Sequence, residues 1–151
     1  MRWLRKFLSL PSPERWLLLE AVLWLTCTWL ALHVVPFRWL APALGQYRAE
    51  SPYALPPEDI QRAQRIARIV GMASRHLPWT CTCLVQAIAG MQLLRGRGQS
   101  CTLYLGVAKD QAQQLCAHAW LRSGEVFVTG GHERHGFVVV GSFRQAARRK
   151  G

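Results

Sequence analysis

The sequence is poor in acidic residues and contains no asparagine. Eight aspartates and glutamates stand against 19 lysines and arginines, which gives a net charge of +11. A balance this basic favours acidic partners, such as an acidic peptide, a membrane surface or nucleic acid. We expect no nucleic-acid partner, because the charges are scattered and no recognised binding motif is present. The one dense basic run, 144–150, is terminal and is typical of a solvated tail.

Cysteine is also scarce, with five residues at irregular spacing. No cleavable signal peptide is evident, so we expect no disulfide framework and predict a reducing, cytoplasmic location. A chain of 151 residues, half of them hydrophobic, has room for one domain with an appended segment. We predict an apolar helix and a proline-rich connecting loop over 1–50, and the main domain over 51–151.

The apolar helix is bounded by recognisable signals. Ser12 suits the N-cap, Pro13 suits the first helical position, and Pro36 ends the helix. Apolar residues lie all round it, so we expect the helix to be buried on every side. The stretch 16–35 could also just cross a bilayer, although Glu20 within it favours burial against this domain or against a partner protein that docks on the helix. Membrane association through 16–35 therefore stays open.

The rest of the chain predicts helices first and strands afterwards. An amphipathic helix is predicted over 56–78 and an apolar, central helix over 83–95. Stretches with a period of two then predict strands at 101–107, 115–122, 125–129 and 137–143. This order indicates an α+β fold, in which an antiparallel sheet wraps on the central helix.

Cys83 is the first candidate for chemistry. It lies in the first turn of the central helix, where unpaired N–H groups and the helix dipole favour a nucleophilic thiolate, and Thr80 or Thr82 could cap the helix. His118 lies in a predicted strand and could act as the base of a Cys/His pair for acyl transfer. A buried structural cysteine and a core histidine are the alternative.

A zinc site is a second possible use of the same residues. Cys81, Cys83, Cys116 and His118 form two pairs of potential ligands. Each pair leaves one residue between its members, whereas structural zinc sites usually leave two to four. We therefore predict no metal and no other cofactor.

The segments "LPWTCTCLVQAIAGMQLLRGRG", "LYLGV", "AHAWLRSGEVFVTGG" and "FVVVGSF" resemble the peptidase half of the lasso-peptide biosynthesis B protein. That family is a transglutaminase-like group of cysteine proteases, and the resemblance covers 60–143. It implies a transglutaminase/papain-like core with Cys83 as nucleophile and His118 as base. Cys81 has no counterpart role and is expected to be a small packed residue.

The resemblance also implies a substrate and partners. The expected reaction removes the leader from a ribosomally made precursor peptide, and a separate ATP-dependent cyclase then uses the freed amine. The region before the catalytic part is too short for a leader-recognition domain, so a separate leader-binding protein is implied. The backbone N–H of Cys83 is one expected oxyanion donor, and the indole N–H of Trp79 is a candidate for the second.

Many members of that family orient the histidine with an aspartate on the next strand. A hairpin turn at Ser123-Gly124 would place Thr129 opposite His118, and Thr129 is not acidic. The candidates for the third residue are the Thr129 hydroxyl, a backbone carbonyl, and Glu133 from the following loop. This departure keeps two other hypotheses open: a non-catalytic peptide-binding scaffold and a small membrane-anchored protein.

Overall fold

The computed structural model describes residues 2–148 of the chain. Five α-helices, two 3₁₀ turns and five strands occur in these residues. The helices are α1 (Arg2–Leu8), α2 (Ser12–Val34), α3 (Phe37–Leu40), α4 (Pro57–His76) and α5 (Cys83–Gly96), with 3₁₀ turns at Ala41–Leu44 and His132–Arg134. The strands are β1 (Gln46–Tyr47), β2 (Cys101–Lys109), β3 (Leu115–Ser123), β4 (Val126–Thr129) and β5 (Val138–Gln145).

The strands form one antiparallel sheet in the order β1-β5-β2-β3-β4. The prediction of an α+β fold, with a central apolar helix packed on an antiparallel sheet, is confirmed. The helices α4 and α5 and the four longer strands begin and end within three residues of their predicted limits. The short strand β1 is absent from the prediction, because two residues are too few to establish a period.

The elements are arranged in three layers. α2 packs on α4 and α5, and both of these pack on the sheet. α5 approaches the sheet closely at Gly90, where a Cβ atom would lie 2.9 Å from a methyl group of Leu121. Side chains from α2, α4, α5 and the sheet form one hydrophobic core.

This chain buries α2 on one side only, whereas the sequence predicts burial on every side by this domain or by a partner protein. One side is buried, and the opposite side carries five large exposed residues, because α2 is the outermost layer. The buried residues are Leu17, Leu18, Ala21, Leu25 and Thr28, and the exposed ones are Trp16, Leu19, Leu23, Leu30 and Val34. Ser12 is the first residue of the helix rather than its N-cap, which is Pro11.

The predicted pairing of the β3–β4 hairpin is also wrong. The two loop residues are Gly124 and Glu125, and Ser123 pairs with Val126. Gly124 has a φ of 59°, a left-handed conformation that glycine adopts readily. A bulge follows in the pairing of the two strands. Such an extra residue leaves no mark in the alternation of apolar and polar residues, so the sequence pattern could not reveal it.

Candidate active site

Cys83 is the first residue of α5, as the sequence predicts. The Thr82 hydroxyl accepts a hydrogen bond from the Val85 N–H at 3.4 Å and caps the helix. The segment before the helix is held by Gln86, whose side-chain amide donates to the Cys81 carbonyl at 2.9 Å. Cys83 is partly exposed and packs against the edge of the core, at the positive end of the helix dipole.

His118 lies on β3 and is held by contacts on its ring and at one nitrogen. The ring stacks on Trp120 with centroids 5.8 Å apart, and it contacts Phe137 at 5.2 Å. Its Nε2 atom is 2.8 Å from the carbonyl oxygen of Gly130. A carbonyl only accepts, so Nε2 donates and carries the hydrogen, which leaves Nδ1 as the basic nitrogen of the neutral ring.

Gly130 is therefore the group that orients His118. Its φ is 66°, and a Cβ atom at this position would lie 2.5 Å from the Ala119 carbonyl oxygen and 3.0 Å from His118 Nε2. Any other residue would be strained and would displace the imidazole. This arrangement matches the backbone-carbonyl alternative among the three sequence-based candidates for a third residue.

The other two candidates have no hydrogen bond to His118 among the described residues. Thr129 pairs with Leu121 rather than with His118, and its γ-methyl group lies near Gly90 of α5. Its hydroxyl is buried without a hydrogen-bond partner within residues 2–148. Glu133 is exposed in the 3₁₀ turn after β4.

Cys83 and His118 lie at the same end of the fold. α5 and β3 run in the same direction, since Gln99 just after α5 bonds Ser123 at the end of β3, at 3.0 Å. Gly90 and Leu121 are in contact and serve as a reference level. Cys83 precedes Gly90 by seven residues, which is about 10 Å along the helix at 1.5 Å per residue. His118 precedes Leu121 by three residues, which is also about 10 Å along the strand at 3.3 Å per residue. The two side chains are thus at one level, and both are partly exposed.

They leave the backbone on different sides of the sheet. Leu121 faces α5, and side chains alternate along a strand, so His118 shares the opposite face with Trp120. The neighbouring strand β4 ends at Thr129, just before Gly130. To contact the Cys83 thiol, the His118 imidazole must extend past the end of β4 towards the face of the sheet that packs on α5.

An aromatic cavity of about 430 Å³ lies beside His118 on this face. Trp120 and Phe137, which contact the His118 ring, are among its lining residues, as are Tyr53, Tyr104 and Arg122. The cavity adjoins the candidate base, so it is positioned to receive part of an extended substrate.

Arg122 fixes one wall of this cavity and is only 2% exposed. Its guanidinium donates to the Tyr104 hydroxyl at 3.0 Å, the Gly124 carbonyl at 2.7 Å and the Ser51 carbonyl at 3.0 Å. Burial raises the pKa of Tyr104 to about 12, although the hydrogen bond from Arg122 lowers it. Sequence analysis missed this role; the available signal was a charged residue within an apolar strand.

Trp79 lies near the start of α5 and has a polar atom without a partner. Its indole N–H is buried and makes no hydrogen bond within the described part of the chain. The ring packs on Trp29 with centroids 5.8 Å apart. Both residues line a cavity of about 490 Å³ together with Thr82 and Val85. The N–H is therefore unsatisfied close to the segment that carries Cys83.

The remaining cysteines have different surroundings. Cys81 packs against the core, and burial raises the pKa of its thiol. Cys116 donates from its sulfur to the Ala108 carbonyl at 3.4 Å. Within residues 2–148 no group of three or more His, Cys, Asp and Glu side chains could hold a metal ion.

A helix that begins with cysteine, packed on an antiparallel sheet that carries a histidine, defines a transglutaminase-like architecture. The family model of the transglutaminase-like superfamily matches residues 31–142. The chain belongs to this superfamily. No curated protein and no solved structure matched the chain.

Proposed function

We propose that this protein is a cysteine peptidase in which Cys83 is the nucleophile and His118 the base. The observation that carries the proposal is the hydrogen bond from His118 Nε2 to the Gly130 carbonyl, at 2.8 Å. This bond holds the hydrogen on Nε2 and leaves Nδ1 free to accept a proton. The transglutaminase-like superfamily includes cysteine proteases, which agrees with this assignment.

The mechanism follows from the two residues. Nδ1 of His118 removes the thiol proton, and the Cys83 sulfur attacks the scissile carbonyl carbon. The backbone N–H of Cys83 has no partner within its helix and can donate to the oxyanion. Nδ1 then protonates the leaving amine as the C–N bond breaks, and water hydrolyses the thioester. Trp79 is proposed as the second oxyanion donor, on the basis of its unpaired indole N–H.

The proposed substrate is the leader-containing precursor of a lasso peptide. The support is the resemblance of 60–143 to the peptidase half of the lasso-peptide biosynthesis B protein. In this proposal a separate leader-binding protein presents the precursor, and an ATP-dependent cyclase consumes the freed core amine. A precursor, a cyclase and a leader-binding protein encoded in neighbouring reading frames would supply the reagents for the test.

The test is cleavage of that precursor in the presence of the leader-binding protein, followed by mass spectrometry. We expect Cys83→Ala and His118→Ala each to abolish cleavage while the circular dichroism spectrum is unchanged. Cys81→Ala and His132→Ala are the matched controls and should cleave at the parent rate. Cleavage retained by Cys83→Ala or by His118→Ala would refute the peptidase proposal.

A second candidate function is a peptide-binding scaffold without catalysis. It is favoured by the alternation along β3, which directs His118 to the sheet face opposite α5. The two functions differ in the state of the Cys83 thiol. A peptidase predicts fast alkylation of Cys83 by iodoacetamide at neutral pH, slowed by His118→Ala. A scaffold predicts slow alkylation that His118→Ala leaves unchanged.

A further inference from the structure

α2 presents a continuous apolar stripe to the outside of the molecule. Its residues follow one another at intervals of three or four, so they lie on one side of the helix. This outer stripe consists of Trp16, Leu19, Leu23, Cys27, Leu30 and Val34, all of which are exposed. The stripe runs from Trp16 to Val34, and the 18 steps between these two residues correspond to about 27 Å at 1.5 Å per residue.

The polar side chains of α2 do not interrupt the outer stripe. Thr26 donates to the Val22 carbonyl at 2.7 Å, and His33 Nδ1 bonds the Trp29 carbonyl at 2.7 Å. Glu14 and Glu20 are the only acidic residues in 1–49. Because the Thr26 hydroxyl and His33 Nδ1 bond backbone carbonyls of α2, these two groups impose little cost on an apolar environment at the stripe.

Both glutamates form ion pairs with arginines of the layer on which α2 packs. Glu14 forms an ion pair with Arg68 of α4. Glu20 forms one with Arg97, just after α5, at 2.7 Å. The negative charges of this region are thus neutralised from within, and no acidic residue remains to repel an anionic surface.

Exposed cations precede and follow α2 in the chain. Arg2, Arg5 and Lys6 are exposed on α1, which precedes α2. Arg38 is exposed just after α2, and the adjacent Trp39 is 69% exposed. An exposed apolar helical face can enter the headgroup region of a bilayer, and exposed cations on the adjoining segments are attracted to anionic lipids.

The geometry points to peripheral docking of this protein on an anionic lipid bilayer through the outer stripe and its flanking cations. α2 would lie along the membrane surface rather than cross it. Leu25 and Ala21 on its inner side are fully buried in the core, so a spanning orientation would require α2 to leave the domain. The apolar residues would enter the headgroup region, and the cations would contact lipid phosphates.

The test is co-sedimentation of the purified full-length protein with vesicles. One set contains phosphatidylcholine alone, and the other contains phosphatidylcholine and phosphatidylglycerol at about three to one. We expect binding to the anionic vesicles, weaker binding at high salt, and release by a sodium carbonate wash. The binding assay does not depend on peptidase activity, so it can fail or succeed independently of the proposed function.

Leu23→Glu places a charge at the middle of the outer stripe, where the side chain is 60% exposed. Leu115→Glu makes the same change on β3, where the side chain is 71% exposed, and is the matched control. We expect Leu23→Glu to weaken vesicle binding about tenfold or more and Leu115→Glu to leave it unchanged. Thermal unfolding followed by circular dichroism checks that both variants fold.

Four results would overturn the proposal. The first is no binding of the parent protein to anionic vesicles, and the second is equal loss of binding in both variants. The third is protein that resists carbonate extraction, which would mean a spanning helix. The fourth is a lipid-free oligomer, or a complex with the leader-binding protein, that Leu23→Glu disrupts, which would mean that a protein covers the stripe.

Discussion

α2 and α5 are both apolar on every side, but they are buried to different extents. α5 lies between the outer helix and the sheet, and eight of its 14 residues are buried. α2 is longer, at 23 residues, and only five of them are buried. The distribution of apolar residues round a helix therefore shows that it avoids water, but it does not show what covers each side. In α5 the covering groups belong to this chain, whereas this chain leaves the outer stripe of α2 exposed.

The largest expected difference between α5 and α2 is in the loss of stability caused by an introduced charge. Leu93 on α5 is fully buried, and Leu23 on α2 is 60% exposed. We expect Leu93→Asp to destabilise the protein by more than about 4 kcal/mol, enough to unfold it, because a carboxylate would be buried without a partner. Leu23→Asp should change the free energy of unfolding by about 0.5 kcal/mol or less. Urea denaturation measures both, and a large loss in Leu23→Asp would mean that its side is covered.

The two sides of α2 should differ in the same way when side chains are shortened. Leu25 is fully buried, and Leu30 is 50% exposed. We expect Leu25→Ala to cost about 2–5 kcal/mol, because it leaves a cavity between α2 and the layer beneath. Leu30→Ala should cost about 0.5 kcal/mol or less. Equal denaturation midpoints for the two variants would contradict the one-sided burial of α2.

The opposite face of the sheet can be tested at Gly130, which orients His118. We expect Gly130→Ala to destabilise the protein by more than the roughly 1–2 kcal/mol that a left-handed conformation costs alanine, because its Cβ atom would also lie 2.5 Å from the Ala119 carbonyl oxygen. It should also reduce precursor cleavage, because the added methyl group would lie 3.0 Å from His118 Nε2. Gly136→Ala is the control, since its φ of 85° is also left-handed but nothing lies within 4 Å of the added atom. Equal cleavage by the two variants would contradict the expectation that an added methyl group at this position displaces the His118 ring.

The smallest effect is expected where α2 meets the end of α5. Glu20 and Arg97 are joined at 2.7 Å, and their side chains are 36% and 29% exposed. Solvent weakens such a pair, so Glu20→Gln should cost about 0.5 kcal/mol. The difference from the parent protein should shrink at high salt. A salt-independent loss would mean that the pair is shielded from water.

The sequence predicted those features that depend on neighbouring residues. Proline and threonine mark where helices start, and a period of two marks the strands, so α5 was located to its first residue, Cys83. The fold class followed from the order of these elements. Cys83 and His118 were singled out by residue type and by the family resemblance, and their catalytic roles remain predictions.

The features that were missed depend on contacts between distant segments. The burial of α2 on one side follows from its position in the layers, which no local pattern specifies. The β3–β4 turn lies one residue later than predicted, and together with the bulge that follows it places Thr129 opposite Leu121 rather than His118. The orienting group is the carbonyl of Gly130, and every residue has a carbonyl, so its role cannot be read from residue identity. Arg122 was overlooked because a single charge in a strand usually faces water.

The hydrogen bonds of Arg122 have a consequence for the order in which the chain assembles. Its guanidinium joins Ser51, which is 71 residues away, to Tyr104, which is 18 residues away, and to the adjacent turn. The contacts with Tyr104 and the turn need only local closure of β2 and β3, whereas the contact with Ser51 closes a long loop. The segment around Ser51 should therefore dock after the hairpins have formed, and its amide hydrogens should be the last of this cluster to gain protection in pulse-labelled refolding.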